Sequence, residues 1–204
     1  MNQRPTRAVF DIGNVLLRWD PRFLYRKVFS DPERMEWFLG EVCTPAWNLE
    51  QDRGRPWRTA VDGLIAEHPD WEAEIRAFDE RWAETISGAI EENVAVLERL
   101  RAAGVPTYAI TNFSAEKFDA SIPRFPFLGR FNGTVVSGRE RLVKPDEAIY
   151  RVLIERYALD PRDCLFIDDS AANVATARRL GFHTIHVTDG LDLAAAVRAI
   201  GLPG

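Results

Sequence analysis

Sulfur and imidazole are scarce in this chain: two cysteines, two methionines and three histidines among 204 residues. Cys43 and Cys164 stand far apart, so no disulfide framework is expected, and a reducing, cytoplasmic setting is. Cys164 opens an apolar run and reads as a small packed hydrophobe. His68, His183 and His186 make no metal set. The last two, three apart in a strand, would point to opposite faces and read as structural. No apolar run is long enough to cross a bilayer, and the short polar stretch Met1–Arg7 carries no signal core. An excess of positive charge is missing as well. Lysine and arginine total 26 against 31 acids, for a net charge of -5, with the two signs interleaved. Nucleic acid and membrane are therefore not expected partners.

What remains is an ordinary globular composition, 46% hydrophobic and 28% charged, long enough for one domain with a sizeable insertion. From Tyr108 onward, strand and helix alternate. The strand candidates are Thr107–Ile110, Thr134–Val136, Cys164–Ile167 and His183–Val187. Helical spacing runs through Glu91–Ala103, Pro145–Tyr157 and Ala171–Leu180, the first and last ending at Gly104 and Gly181. Such alternation predicts a mainly parallel sheet with helices on both faces. The stretch before Glu91 differs. It offers no strand candidate after Val9–Leu17, and helices are predicted over Pro21–Phe29, Pro32–Val42, Pro56–Glu67 and Trp71–Ile86. All six tryptophans lie there. Trp37 and Trp82 are expected to fill a helical core, whereas Trp47 and Trp57 flank a polar loop that can face a ligand. An insertion of about 70 residues at the edge of a sheet is well placed to act as a lid.

Four strand ends carry the chemistry. In Val9-Phe10-Asp11-Ile12-Gly13-Asn14, an apolar strand delivers a carboxylate into a tight turn at the carboxyl end of the sheet, where open α/β sheets bind ligands. Such an aspartate serves as nucleophile, as metal ligand, as both, or only as a turn residue accepting a backbone hydrogen bond. Thr111-Asn112 offers a hydroxyl and backbone N–H groups to an anion, or a plain turn. Lys144 precedes Pro145, read as the start of a helix, where a cation suits anion binding; the alternative is a solvated lysine. Asp168-Asp169-Ser170 closes an apolar strand with two adjacent acids that repel each other unless a cation is near. Mg²⁺ suits oxygen ligands that also meet phosphate.

Taken in order, Asp11-x-Gly13-Asn14-Val15, Thr111-Asn112, Lys144 and Asp168-Asp169 resemble the haloacid dehalogenase-like hydrolase superfamily, over essentially the whole chain. The Gly-Asn-Val variant is most similar to the branch that includes α-D-glucose-1-phosphate phosphatase. The resemblance implies an α/β fold: a Rossmann-like parallel sheet of order 5-4-1-2-3, with residues 1–17 and 89–204 as core and 18–88 as an inserted all-helical cap. It implies a Mg²⁺-dependent phosphatase of a small phosphorylated metabolite, a sugar phosphate being one candidate. Asp11 would form an aspartyl-phosphate, helped by Thr111, Asn112 and Lys144. The metal set would be Asp11, the Gly13 carbonyl, Asp169 and, behind it, Asp168. The chain would act as a monomer or homodimer. It departs from the family pattern at Gly13, where phosphatases carry a second aspartate as general acid/base; Glu50 and Asp52 in the cap are candidates to replace it. Trp47, Arg53 and Arg55 are expected to contact the substrate, in a loop with Gly54 as its flexible point. A 2-haloacid dehalogenase using the same Asp11, and a non-catalytic metabolite-binding protein, are the competing readings.

Overall fold

The central strand Arg7–Phe10 (β1) is fully buried over Ala8, Val9 and Phe10, as a strand covered on both faces requires. In the computed structural model, which describes residues 4–203, it lies between Thr107–Thr111 (β4) and Cys164–Asp168 (β6). Gly133–Val136 (β5) and His183–His186 (β7) complete a five-stranded parallel sheet of order β5-β4-β1-β6-β7. Numbered within the sheet alone, this is the expected 5-4-1-2-3. Alternate side chains feed two cores. Ala8, Phe10, Leu165 and Ile167 point to the face covered by Glu91–Ala102 (α6) and Leu193–Ile200 (α11). Val9, Ile110, Val135 and Phe166 point to the other, where Ile149, Tyr150 and Leu153 of Glu147–Arg156 (α9) pack. After β1 the chain fills one side of the sheet and then, from β6, the other. The gap between the ends of β1 and β6 is therefore a topological switch point.

The segment between β1 and α6 is mostly helical: Arg22–Tyr25 (α1), Pro32–Glu41 (α2), Pro45–Asp52 (α3), Trp57–Glu67 (α4) and Glu72–Glu80 (α5). It also contains strands that the apolar pattern did not show. Leu17–Trp19 (β2) pairs antiparallel with Ile86–Ala89 (β3), forming a ribbon at the root of the segment. Three and four residues are too few to display an alternation, and β3 begins at Ile86, the last residue of the expected helix Trp71–Ile86. The expected boundaries at 17/18 and 88/89 both fall inside this ribbon.

The expected polar loop after Trp47 is the helix α3. Thr44 caps it by accepting the Trp47 N–H at 3.0 Å, and Pro45 occupies the first turn. Gly54 follows this helix in a left-handed backbone conformation. Its φ is +93°, and a Cβ there would lie 2.7 Å from the Gly138 carbonyl oxygen, so the end of α3 abuts Ser137–Glu140 (α8). Trp37 is 50% exposed and stacks on Trp71, because Met35, Phe38 and Leu39 form the buried face of α2. Among the described residues no helix is long and apolar enough to cross a membrane.

Candidate active site

Parallel register brings the acids together. Phe10 pairs with Ile167, and the Asp11 amide donates to the Ile167 carbonyl at 2.9 Å, so Asp11 and Asp168 leave the sheet side by side. Asp11 Oδ1 accepts the Ile12 amide at 2.6 Å, and Oδ2 lies 2.9 Å from Lys144 Nζ. The same ammonium is 2.6 Å from Asp168 Oδ2. Asp168 is completely buried and accepts further from the Ser170 amide at 2.8 Å and from Asn173 Nδ2 at 3.0 and 3.1 Å. Its oxygens are thus saturated, which makes it an anchor for Lys144.

Lys144 does not stand at a helix start. Asp146, not Pro145, caps α9, by accepting the Ala148 amide at 2.9 Å. What fixes the lysine backbone is Asn112, whose Nδ2 donates to the Lys144 carbonyl at 3.0 Å and whose Oδ1 accepts the Lys144 amide at 2.8 Å. The Asn112 side chain is therefore a clamp, a role its position after a strand did not announce. Asn173, which holds both Asp168 oxygens, lies in the first turn of Ala171–Arg179 (α10).

Asp11, Asp168 and Asp169 each present an oxygen within 4.8 Å of the others, with one lysine among them. Burial pushes the Asp11 carboxyl well above the usual carboxylate range, against the pull of Lys144. Asp169 is raised by burial and by its neighbour Asp168. Burial lowers Lys144, but its two acids outweigh that and hold it charged. Three acids against one cation leave negative charge over, so the donor set fits a divalent cation held by oxygen. At the end of β4 the Thr111 hydroxyl is buried without a hydrogen-bond partner, as suits a group awaiting an anion.

Of these groups Asp11 and Asp169, with Asn112 beside them, form the sheet end of a cavity of about 270 Å³. Its walls are apolar and aromatic, chiefly Leu49, Trp57, Trp82, Ile86 and Phe113. The polar side chains that reach it are already engaged. Asn14 accepts the Trp19 amide at 3.1 Å, and Ser114 Oγ accepts Trp57 Nε1 at 2.9 Å. Asn48 and Asp52, one turn apart on α3, face the cavity as well. Trp47, Arg53 and Arg55 are not brought to it. Trp47 packs edge-on against Trp57, Arg53 pairs with Glu50 at 2.9 Å, and Arg55 donates to Gln51 Oε1 at 2.7 Å and to the Trp47 carbonyl at 2.9 Å. His186 bonds the Asp169 carbonyl at 2.9 Å and so supports the loop of the acids.

A family model described as haloacid dehalogenase-like hydrolase matches residues 7–181. Sesquiterpene phosphatase astK of Aspergillus oryzae is 27% identical over 184 residues, 90% of each chain. Acyl-CoA dehydrogenase family member 10 of Mus musculus is 34% identical over 94 residues, which are 45% of this chain but only 8% of that protein. Among solved structures, a HAD family enzyme of Bacteroides thetaiotaomicron, crystallised as a magnesium complex, superposes with a TM-score of 0.77 at 20% identity. That match covers 96% of this chain and 100% of the other.

Proposed function

The chain belongs to the haloacid dehalogenase-like hydrolase family, and from that premise we propose that it is a Mg²⁺-dependent phosphomonoesterase working through an aspartyl-phosphate on Asp11. The observation that carries this reading is the convergence of Asp11, Lys144 and Asp169 at the switch point of the sheet. An Asp11 carboxylate oxygen would attack phosphorus. Lys144 holds that carboxylate in place and offsets charge on the transferring oxygens, and the Thr111 hydroxyl and Asn112 amide receive them. Asp11, the Gly13 carbonyl and Asp169 would hold the metal, which neutralises the phosphoryl charge when bound.

The cavity walls favour an apolar alcohol portion over a sugar, because most of their polar groups already bond to the protein and a sugar's hydroxyls would find few partners. The match to a sesquiterpene phosphatase supports the same choice. The helical segment over α1–α5 closes the cavity as a cap.

The test is phosphate release from a panel of alkyl, isoprenoid and sugar monophosphates, with Mg²⁺ and with chelator. Release should need the metal, and Asp11→Asn should lower it by about 10³-fold or more while the protein stays folded. Halide release from 2-haloacids that persists in chelator would instead establish the dehalogenase chemistry. Silence on both panels would leave a binding protein.

A further inference from the structure

Breaking a phosphate ester of an ordinary alcohol leaves an alkoxide that needs a proton, and the group at position 13 cannot supply one. Gly13 has no side chain, and a Cβ there would meet nothing within 4 Å. Three side chains lining the cavity can carry a proton: Asp11, Asp169 and Asp52. The first is the nucleophile and the second belongs to the metal set. Asp52 is left, and its placement is specific. It is the last residue of α3, on the helical wall, and lines the same cavity as Asp11 and Asp169. In-line displacement sends the leaving oxygen away from Asp11 and hence toward that wall. The end of α3 is held against the sheet domain by the contact of Gly54 with Gly138, and the Ser114 backbone amide meets the Asp52 carboxyl from the loop after β4. Its other polar neighbour is Asn48 Nδ2, at 3.4 Å. Among the described residues no cation pairs with it, in contrast to Glu50, which is tied to Arg53 outside the cavity.

Resting on the phosphomonoesterase reading, we infer that Asp52 is the general acid and base of the reaction, supplied by the helical segment in place of a side chain at position 13. In the first step an Asp11 oxygen bonds to phosphorus while the bond from phosphorus to the ester oxygen breaks. The electron pair stays on that oxygen, which takes the proton of the Asp52 carboxyl and leaves as the alcohol. In the second step water attacks the aspartyl-phosphate and gives its proton to the Asp52 carboxylate. The phosphorus–oxygen bond to Asp11 breaks, inorganic phosphate departs, and both acids return to their starting states. Burial pushes the Asp52 carboxyl up to about 7, and the charge of Asp11 adds to that, so near neutral pH both of its forms are present, as a shuttle requires.

The two steps separate with two esters. 4-Nitrophenyl phosphate has a leaving group that departs without a proton; hexyl phosphate does not. In Mg²⁺, the full chain carrying Asp52→Asn should lose about 100-fold or more in turnover of hexyl phosphate. With the nitrophenyl ester it should still release a rapid burst of nitrophenolate, one per active site, followed by a slow steady state as the aspartyl-phosphate waits for water. A thermal melt checks that the variant is folded, and Asp52→Glu, which keeps the carboxyl, should regain part of the lost rate. Equal losses on both esters without a burst, or no loss on either, would overturn the role of Asp52 and leave the phosphatase reading standing. Wild-type protein inert toward both esters would overturn that reading and the role of Asp52 with it.

Discussion

At the sheet end of the cavity Asp11, with Asp168 behind it, is buried against a shared lysine, while on the helical wall no cation among the described residues pairs with Asp52. On the first wall a fixed countercharge stands: Lys144 touches both acids, and Asn173 and two backbone amides donate to their oxygens as well. On the second, an apolar setting lets a carboxyl keep its proton. The contrast matches what each end of an ester presents. The phosphoryl end is anionic throughout and needs fixed countercharge. The alcohol end changes by one proton and needs a group that can change with it.

The sharpest way to break this comparison is to remove the countercharge. Lys144→Met keeps the length of the side chain but leaves Asp11 and Asp168 buried with no cation. Removing one partner of a buried ion pair costs about 3–5 kcal/mol, and urea unfolding of the metal-free protein should show a loss of that size. Asp11→Asn, by contrast, leaves Lys144 paired with Asp168 and removes a poorly solvated acid, so its stability should match or exceed that of the wild type. Equal stability of Lys144→Met and wild type would mean that the sheet wall is not held by charge balance.

A smaller effect separates the walls by pH. The Asp52 carboxyl sits near 7 when folded and about 3.9 when unfolded. Between these values the folded state binds the extra proton, so stability falls as pH rises from about 4 to about 7 and is flat above. Each such group contributes a slope of at most about 1.4 kcal/mol per pH unit. Asp11 and Asp169, both raised, tilt the metal-free protein the same way. Asp52→Asn should therefore make the slope shallower without abolishing it, as read from urea midpoints between pH 5 and 8 in chelator. An unchanged slope would show that water entering the cavity already solvates Asp52.

The two walls were also unequally legible in sequence. Strands β1, β4 and β6 end on their chemistry, so a run such as Cys164–Asp168 placed Asp168 and Asp169 without any knowledge of neighbours. Parallel register then did the rest, because it aligns strand ends that lie over 150 residues apart. The helical wall has no such rule. The polarity of Asn48, Glu50, Gln51 and Arg53 suggested a loop, although Thr44-Pro45 is a helix start. Once those residues lie on a helix, position sorts them: Asn48 and Asp52 face the cavity, and Glu50 and Arg53 face water. The strands β2 and β3 were missed because each is too short for periodicity to register. The clamp of Asn112 on Lys144 joins residues in different loops and leaves no local trace.

The smallest expected effect concerns the two arginines at the end of α3, and it sharpens where the helical wall stops. Arg53 is half exposed and forms an i,i+3 pair with Glu50 at 2.9 Å. Exposed pairs of this kind contribute about 0.2–1 kcal/mol, so Arg53→Ala should unfold within a few tenths of a kcal/mol of wild type and leave KM unchanged for either ester. Arg55 is different. Its guanidinium joins Gln51 Oε1 and the Trp47 carbonyl and lies over the Trp47 ring, with 5.7 Å to its centroid. Losing charged hydrogen bonds of that kind costs about 1.5–3 kcal/mol, and the strain would fall on the helix that carries Asp52. Arg55→Ala should thus lower stability and slow hexyl phosphate more than 4-nitrophenyl phosphate, through a drop in kcat rather than a rise in KM. If instead Arg53→Ala raises KM several-fold without touching stability, this arginine reaches the substrate, and the helical wall extends beyond the cavity to a second, charged contact.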